Sequence, residues 1–402
     1  MSKKFLLVVL LVLASSLLLF ACTQPSAPQP APTTPAPTPA PAPGGATTTP
    51  APAPSGGTLK IGALLPMTGS EAPYGADMLN SYKMAIEEVN SAGGVLGYTF
   101  TISEEDDACD GAQANLAGAR IVSGDPDFIV GGYCSGATIP ALQLFLDADK
   151  LMLISAANST RITDLGMPQT FMINSPGNHQ IVKFIELLNK LGSKNVAIIH
   201  QGDDYTKNLS DLCDEMLPPA GFTIVATEVM AKGEPDVSAI VNKIRSANAD
   251  MVLWCGYFAD GSNVIKQLRN GGYTGDITCG DGSSDTQLIE GSGPQGNGVY
   301  VLSPPYVNFA EGGQAYIDKY RSMYNSDPGP YSTLCYDTIM LLVDGITRAN
   351  SIETGAVVAA IKQNNYDGLS GNLSFADDHT LLKSNFIVLQ INATSGEFDL
   401  FM

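Results

Sequence analysis

Short apolar or alternating runs are interleaved along the chain with longer segments whose apolar positions recur at helical spacing. Such runs are typical of strands in a buried sheet, and the longer segments are typical of amphipathic helices. In the first half, strands are predicted at 59–65, 98–104, 127–130 and 151–154. Helices are predicted from about Tyr74 to the glycine pair at 93–94, at 112–122, and after the third strand. A helix between consecutive strands indicates βαβ units with a parallel sheet and right-handed crossovers.

The same alternation restarts after residue 177. Strands are predicted at 195–199, 222–225, 251–254, 277–279 and 298–302. Helices are predicted between them at 181–191, 209–217, 237–246 and 264–268. The C-terminal stretch then adds helices at 316–324, 334–346 and 356–361 and strand-like pieces at 371–375 and 386–391. The architecture of the first half is therefore expected to occur twice.

These elements predict an α/β protein with two doubly wound, parallel-sheet lobes joined by a multi-strand hinge. A chain that returns late with extra helices and strands often completes lobes that were begun earlier. We therefore assign 58–176 together with 306–383 to lobe 1, and 177–305 together with 384–402 to lobe 2. This arrangement implies several crossings between the lobes.

The N-terminal residues are not expected to belong to either lobe. Two lysines precede an apolar run at 5–20, and Leu-Phe-Ala-Cys closes that run at Cys22. This order is typical of a signal peptide (1–21) whose removal leaves a lipid-modified Cys22. The alternative is an uncleaved membrane anchor, for which the apolar run is short. Residues 22–57 are dominated by Pro, Ala and Thr and cannot build a core, so they predict an extended tether.

Charge and cysteine usage limit the possible partners. The 402-residue chain has a formal net charge of −19, which argues against nucleic acid and against direct adhesion to anionic lipid. Of its seven cysteines, six remain once Cys22 is assigned to lipid, an even number in an exported protein. None of their spacings is typical of a zinc site, so we expect disulfides rather than a metal or another cofactor.

One strand-to-helix turn, at 131–138, organises the candidate site. Two glycines follow the predicted strand, and Ser135 is predicted to be the N-cap of the next helix. A helix N-terminus at a strand end presents free backbone N–H groups and the positive end of the helix dipole. This turn therefore predicts a site for an anionic group such as a carboxylate.

Ligands of open α/β sheets bind at the carboxyl ends of the strands, so those ends supply the candidate residues. The first half contributes Tyr74, Ser135, Ala157, Asn158 and Ser159. The second half contributes Tyr205, Tyr257 and Asp281. Hydroxyls and backbone N–H groups on one side would bind a carboxylate, and the carboxylate of Asp281 on the other would bind an ammonium. This division predicts a zwitterionic ligand.

Several motifs resemble those of the branched-chain amino acid binding proteins of ABC importers, which are periplasmic binding proteins of the leucine/isoleucine/valine type with the type I fold. They are Thr68-Gly69 with Tyr74-Gly75, Asp106 to Asp110, Cys134 to Thr138, Gly202 to Tyr205, Cys255 to Tyr257, and Gly280 to Gly282. The resemblance extends over essentially all of 58–402. It implies a solute-binding lipoprotein that captures an amino acid between closing lobes and delivers it to an ABC permease.

The resemblance also implies roles for individual residues. Cys109 and Cys134 match the family's disulfide in lobe 1, and Ser135 matches a residue that holds the ligand carboxylate. The 157–159 segment matches one that supplies a carbonyl for the amine and further donors. Three tyrosines match residues that line or close the pocket, namely Tyr74, Tyr205 and Tyr257. Asp281 matches the acidic partner of the ammonium, although the leucine-type proteins usually carry Glu there and Thr at the position of Ser159.

From this family we expect a monomer without enzymatic activity, anchored by lipid at Cys22 to the outer face of the cytoplasmic membrane, or periplasmic. One alternative is a ligand-sensing receptor module of the same fold, which the lack of a span or signalling domain after Met402 disfavours. Another is a hydrolase that uses Ser135 or the acidic residues at 104–110. Within the binding proteins, urea, short amides and aromatic acids remain possible ligands because a fold does not determine its ligand.

Overall fold

The structure is a computed structural model that describes residues 56–166 and 168–402. The expected signal peptide, the expected lipidation site at Cys22 and nearly all of the expected tether lie outside the described residues. In the described part, no helix is long and apolar enough to cross a membrane. Over the same residues, no group of three or more His, Cys, Asp or Glu side chains is arranged to hold a metal ion.

The described chain forms fourteen strands and eleven α-helices. The strands are β1 (Gly57–Leu65), β2 (Tyr98–Asp106), β3 (Phe128–Gly131), β4 (Met152–Ile154), β5 (Thr170–Met172), β6 (Asn195–His200), β7 (Thr223–Val229), β8 (Met251–Cys255), β9 (Asp276–Cys279), β10 (Tyr300–Ser303), β11 (Tyr366–Gly368), β12 (Gly371–Leu373), β13 (Ile387–Asn392) and β14 (Glu397–Leu400). The helices are α1 (Ala72–Ser91), α2 (Gly111–Ser123), α3 (Ser135–Asp147), α4 (Gly177–Leu191), α5 (Asp204–Met216), α6 (Ser238–Ser246), α7 (Phe258–Asn270), α8 (Thr286–Ser292), α9 (Gly313–Tyr324), α10 (Ser332–Ala349) and α11 (Thr354–Lys362).

Two separate sheets confirm the predicted pair of α/β lobes. The first is parallel throughout, with the order β2-β1-β3-β4-β5. The second has the order β14-β13-β10-β9-β8-β6-β7. Its strands β6 to β10 are parallel, whereas β13 pairs antiparallel with β10 and β14 antiparallel with β13. The strands β3, β4 and β8 are buried along their whole length, as their continuous apolar runs predict.

The C-terminal part of the chain contributes to both lobes. Helix α10 packs against α1 and α11 beside the first sheet, whereas β13 and β14 extend the second sheet. The chain therefore passes between the lobes after β5, after β10 and before β13. Here lobe 1 means the part that contains the first sheet, and lobe 2 the part that contains the second. The boundaries given above, at 176, 305 and 383, stay a prediction.

The turn between β3 and α3 differs by one residue from the prediction. Cys134, not Ser135, is the N-cap of α3, and its backbone oxygen accepts the N–H groups of Ala137 and Thr138. Gly131 has a φ of 112°, and a Cβ there would lie 2.3 Å from the backbone oxygen of Leu64. Because the turn is completed at the glycines, the helix begins one residue earlier than a serine cap would place it.

The disulfide implied by the family resemblance is present. Cys109 and Cys134 are bonded with their Cα atoms 5.4 Å apart, which joins the turn after β2 to the start of α3. The cysteines at 213, 255, 279 and 335 are free and buried. Burial raises the pKa of each of these four thiols, which keeps them in the unreactive neutral form.

Candidate functional site

A small cavity lies where the carboxyl ends of the two sheets face one another. It is lined by Tyr133, Ala156, Asn158, Tyr205, Tyr257, Asp281, Gly282 and Tyr331. Its volume is about 10 Å³, which is room for roughly one water molecule. Lobe 1 contributes four of these residues and lobe 2 the other four, so the cavity belongs to both lobes.

Asp281 is the charged residue of this lining. It follows β9 and is only 2% exposed. The Tyr205 hydroxyl donates to its Oδ1 at 2.7 Å. Asn158 and Asn174 donate from Nδ2 to Oδ2 at 3.0 and 3.1 Å, and the Tyr331 hydroxyl lies 3.3 Å from the same oxygen. Burial raises the pKa of Asp281, and the hydrogen bond from Tyr205 is the largest of the effects that oppose it.

The carboxylate of Asp281 does not cap the turn that it begins. That short 3-10 turn, Asp281–Ser283, has Gly280 as its N-cap and no side-chain cap. The hydroxyl of Ser284 donates to the backbone oxygen of Asp281 at 2.7 Å, which leaves the carboxylate oxygens to partners around the cavity. A purely local role of Asp281 in the turn therefore does not account for the position of its side chain.

Tyrosines are four of the eight residues in the cavity wall. The ring centroids of Tyr205 and Tyr257 are 5.4 Å apart, and those of Tyr257 and Tyr133 are 6.1 Å apart. Tyr133 meets Tyr331 edge to face at 5.4 Å. Behind this wall, Tyr74 stacks on Tyr133 at 4.7 Å. Edge-to-face and offset contacts of this kind hold rings in fixed orientations.

The structure brings together four of the eight residues selected from the sequence, since Asn158, Tyr205, Tyr257 and Asp281 line the cavity. Tyr74 is buried but lies behind Tyr133, and its hydroxyl is 3.4 Å from the backbone oxygen of Gly282. It therefore contributes to the second layer of the wall.

Three further residues selected from the sequence are buried beside the cavity but do not line it, namely Ser135, Ala157 and Ser159. The N–H of Ser159 donates to the hydroxyl oxygen of Ser135 at 3.3 Å. The N–H of Ala157 donates to the backbone oxygen of Gly132 at 2.9 Å. Two donors predicted for a ligand thus have acceptors within lobe 1, and their ligand-binding role stays a prediction.

The sequence-based selection missed Tyr133, Ala156, Gly282 and Tyr331. Tyr133 and Gly282 lie at strand ends, so a stricter reading of those ends would have included them. A Cβ on Gly282 would lie 3.1 Å from the Tyr205 ring and 3.2 Å from the backbone oxygen of Gly256, which explains why the wall has no side chain there. Tyr331 is the N-cap of α10 and reaches the cavity only through tertiary packing, so no local pattern identifies it.

Further contacts join the lobes outside the cavity. The N–H of Thr160 donates to Oδ1 of Asn208 at 3.0 Å, and Nδ2 of Asn208 donates to the Thr160 hydroxyl at 2.9 Å. Next to this pair, Arg161 forms a salt bridge with Asp204. Since Thr160 and Arg161 belong to lobe 1 and their partners to α5 of lobe 2, these contacts exist only while the lobes are together.

A comparison with protein-family models matches residues 58–397 to the family described as periplasmic binding protein. The chain belongs to this family. Among the relatives of this periplasmic binding protein is the leucine-, isoleucine-, valine-, threonine- and alanine-binding protein of Pseudomonas aeruginosa, which is 26% identical over 83% of the chain and 90% of the relative. The leucine-specific-binding protein of Salmonella typhimurium is 26% identical over 83% of the chain and 91% of its own length.

Solved structures with the same fold include a leucine-binding protein of Thermotoga maritima, with a TM-score of 0.79 and 24% identity over 86% of this chain and 98% of that one. A solute-binding protein of R. palustris in complex with benzoate has a TM-score of 0.77 and 16% identity over 86% of this chain and 95% of its own. The TM-scores show that these proteins share the fold, and identities below 25% carry the comparison no further than that. The ligand has to be argued from the cavity itself.

Proposed function

We propose that this periplasmic binding protein captures an amino acid, branched-chain or similar, between its two closing lobes and delivers it to an ABC permease. The observation that supports this most is the position of Asp281. It is a buried carboxylate of lobe 2 that lines the cavity and is surrounded by groups of both lobes. The names of the relatives, which bind leucine and similar amino acids, agree with this proposal.

The role of Asp281 follows from the charge of the ligand. Closing two lobes over an amino acid removes its ammonium from water, and a buried cation without a partner is very unfavourable. Asp281 supplies the opposite charge in the cavity wall. The rings of Tyr205 and Tyr257 close the same space and exclude water, which strengthens the attraction.

The carboxylate of the ligand is proposed to bind at the start of α3. Ser135, Ala157 and Ser159 lie together there, and Ser135 is in the first turn of the helix. A ligand carboxylate would replace the Ser135 hydroxyl as acceptor for the N–H of Ser159. The positive end of the α3 dipole favours the same charge.

An anionic ligand without an amine fits the cavity less well. The benzoate complex of R. palustris shares the fold, but here the charged side chain of the lining is a carboxylate. An aromatic acid bound by its carboxylate at the start of α3 has no ammonium, so closure would leave the buried charge of Asp281 without a cationic partner, which is unfavourable. The electrostatics of the cavity therefore favour an amino acid over an aromatic acid.

Location and partners complete the proposal. Members of this family bind solutes outside the cytoplasm, and we propose that this one is held by lipid on Cys22 at the outer face of the cytoplasmic membrane, acts as a monomer and lacks enzymatic activity. Mass spectrometry of the processed N-terminus tests the anchor, since it detects lipid on Cys22 or its absence. Hydrolysis of amide or ester substrates would contradict a purely binding role.

The ligand itself is tested in two steps. Native mass spectrometry of protein purified without denaturation should show a bound amino acid, because tight ligands are retained. Calorimetry then compares leucine with 4-methylpentanoate, which has the same carbon skeleton without the amine. We expect leucine to bind and the deaminated acid to bind much more weakly. Equal binding of the two would contradict a role for the ammonium and for Asp281.

A further inference from the structure

Two buried amides beside Asp281 have atoms for which the described residues provide no hydrogen-bond partner. They are Asn174, which lies just after β5, and Gln180, which lies in the first turn of α4. Both residues are 0% exposed. The unpartnered atoms are Oδ1 of Asn174 and both amide atoms of Gln180. Because buried polar groups nearly always have a partner, we expect partners from outside the chain or a rearrangement of these amides when a ligand binds.

The contacts of Asn174 fix the direction of its amide. Its Nδ2 donates to the backbone oxygen of Ala156 at 2.9 Å and to Oδ2 of Asp281 at 3.1 Å. Exchanging the two ends of the amide would turn its oxygen toward these two oxygens, which are both acceptors. Oδ1 of Asn174 is therefore the free acceptor. Since Ala156 lines the cavity, Asn174 lies directly behind the cavity wall.

The start of α4 holds Gln180 next to the same carboxylate. The N–H of Gly177, the first residue of α4, donates to the backbone oxygen of Asn158 at 2.8 Å, and the side chain of Asn158 donates to Asp281. Burial raises the pKa of Asp281, and the Gln180 amide is near enough to oppose that rise, although less than Tyr205 does. No hydrogen bond holds the Gln180 amide, so it can turn toward a donor without breaking one.

Asp281 can accept a further donor on the side of Tyr205. Among the described residues, its Oδ1 accepts only the Tyr205 hydroxyl. The Tyr331 hydroxyl lies nearer to the backbone oxygen of Asp281, at 3.0 Å, than to Oδ2, at 3.3 Å. A carboxylate oxygen can accept about two hydrogen bonds, so Oδ1 keeps a site for an N–H group of a ligand.

The cavity next to Asp281 has the size of a primary ammonium. Its volume of about 10 Å³ admits roughly one water molecule. A primary ammonium is close to water in size and carries three N–H donors. One of them can bond to Asp281, and the others need acceptors of their own, because an unpaired buried donor is unfavourable. Each N-methyl group would remove a donor and add a carbon atom for which the cavity has no space.

We propose that Gln180 is a further ligand-binding residue, whose Oε1 accepts an N–H of the ligand's ammonium beside Asp281 and makes this end of the cleft selective for primary amines. Gln180 does not line the cavity in this form, so its amide turns when the ligand binds. Its Nε2 then donates to Oδ1 of Asn174, and one ligand donor gives all three unpartnered atoms a partner. Asn174 is a positioning residue, because it acts through Gln180 and Asp281. The inference rests on the proposed function and adds the residue that recognises a second N–H group.

The first test uses the unaltered protein with ligands that differ only at nitrogen. Calorimetry compares leucine with N-methylleucine and N,N-dimethylleucine, which keep the charge and the side chain but have two and one N–H groups. We expect each methyl group to weaken binding by about tenfold or more, because a hydrogen bond that involves a charged group is lost. If N,N-dimethylleucine binds as tightly as leucine, the inference is overturned and the amino-acid function stands. Failure of all three ligands to bind would contradict both proposals.

The variant Gln180→Met tests the residue itself, since methionine has a similar length and no amide. We expect its affinity for leucine to fall about tenfold and its affinity for N,N-dimethylleucine to change less than about threefold, so that the preference for the primary amine narrows. A purely structural role would lower both affinities by the same factor and would overturn the inference. An unchanged affinity for leucine would also overturn it, and would assign the unpartnered atoms of Gln180 to a buried water.

Asn385 provides the matched control. Both atoms of its side-chain amide are also buried without a partner in the described part of the chain, but it borders a different cavity. We expect Asn385→Ala to leave both affinities within about twofold of those of the unaltered protein. If it narrows the preference as much as Gln180→Met does, the effect is not specific to Gln180 and the inference is overturned. Circular dichroism checks that both variants fold, and the ligand series on the unaltered protein decides if Gln180→Met does not.

Discussion

The two faces of the cleft are held in place by different means. On lobe 1, the disulfide Cys109–Cys134 fixes the turn that carries Tyr133, and stacking against Tyr74 fixes its ring. On lobe 2, hydrogen bonds hold the side chains of the cavity wall in place. The N–H of Gly282 donates to the Tyr205 oxygen, whose hydroxyl donates in turn to Asp281. Lobe 1 is braced by covalent and aromatic contacts, and lobe 2 by a polar network.

This difference indicates a division of roles between the lobes. Each lobe contributes two tyrosine rings to the cavity; lobe 1 adds the amide of Asn158, whereas lobe 2 adds the carboxylate of Asp281. The face of lobe 1, held rigid by the disulfide and by ring stacking, can provide a fixed surface to which the ligand binds first. A charge on the opposite face is desolvated only when the lobes close, so its attraction for a cation grows as closure proceeds.

The largest expected effect comes from removing the charge of lobe 2. Asp281→Asn keeps the size of the side chain and removes its charge. Affinity for an amino acid should fall by roughly 2–5 kcal/mol, as when one member of a buried charge pair is truncated. Calorimetry measures the loss. The matched control is Asp337→Asn, which alters a buried carboxylate of lobe 1 whose partners are Leu369 and Ser370 and which does not line the cavity.

Unchanged affinity in Asp281→Asn would place the ligand's cation elsewhere and remove the assigned role of lobe 2. A similar loss in both variants would instead point to a general effect of removing a buried carboxylate. The comparison between the lobes stands only if the loss is specific to position 281.

The contrast between the lobes also shows what the sequence reveals about the site. Tyr205, Tyr257 and Asp281 lie just after the strands or at the start of the next helix, where parallel sheets bind ligands, so position along the chain was sufficient to select them. Tyr331 comes from a segment that packing of α10 on α1 brings to lobe 1. Its place at the cavity depends on a contact between distant parts of the chain, which hydrophobic periodicity does not encode.

The fold was predictable where strands are buried and continuous, and less so where elements are short or polar. Strand β5 has three residues and was not predicted. The sequence also placed the start of α5 at residue 209, whereas it begins at Asp204, because the first turn is polar and the apolar face appears only later. The side chain of Asp203 accepts the N–H groups of Tyr205 and Thr206 and so fixes the true start of the helix.

The second-largest expected effect is the loss of stability when the disulfide of lobe 1 is removed. The disulfide links residues separated by 25 positions, and in the chain-entropy model such a loop contributes about 3 kcal/mol of stability. We expect the double variant Cys109→Ala with Cys134→Ala to have a free energy of unfolding lower by about that amount, measured by denaturant titration. A reductant should destabilise the unaltered protein and leave the double variant unchanged. An unaltered protein that is insensitive to reductant would show that the brace adds no stability.

Mild acid should affect the stability of lobe 1 through its buried carboxyls. Burial raises the pKa of Asp337 from 3.8 to about 6, and hydrogen bonds from Ser370 oppose this rise. The folded protein therefore binds a proton that the unfolded chain releases between about pH 4 and 6. Its free energy of unfolding should rise as the pH falls through this window, by at most about 1.4 kcal/mol per pH unit for this one group.

Histidines act in the opposite direction, since burial lowers the pKa of His179, His200 and His379. The measurement is therefore a difference between two proteins. Denaturant titrations at several pH values compare the unaltered protein with Asp337→Asn, in which the contribution of the histidines is the same. We expect a smaller gain in stability on acidification in the variant. Identical pH profiles would show that Asp337 does not titrate in this window.

The smallest expected effect tests the contacts that exist only between the lobes. Asn208 of lobe 2 exchanges two hydrogen bonds with Thr160 of lobe 1, at 3.0 and 2.9 Å, outside the cavity. Because they form on closure, Asn208→Ala should weaken ligand binding by about 1 kcal/mol, seen as faster dissociation in stopped-flow measurements. Asn189→Ala is the matched control, since that side chain bonds only to Ile185 within α4. If both variants release the ligand at the unaltered rate, the two faces are held together by the ligand and the cavity residues alone. The hydrogen bonds between Asn208 and Thr160 would then form when the lobes close but would not stabilise the closed state.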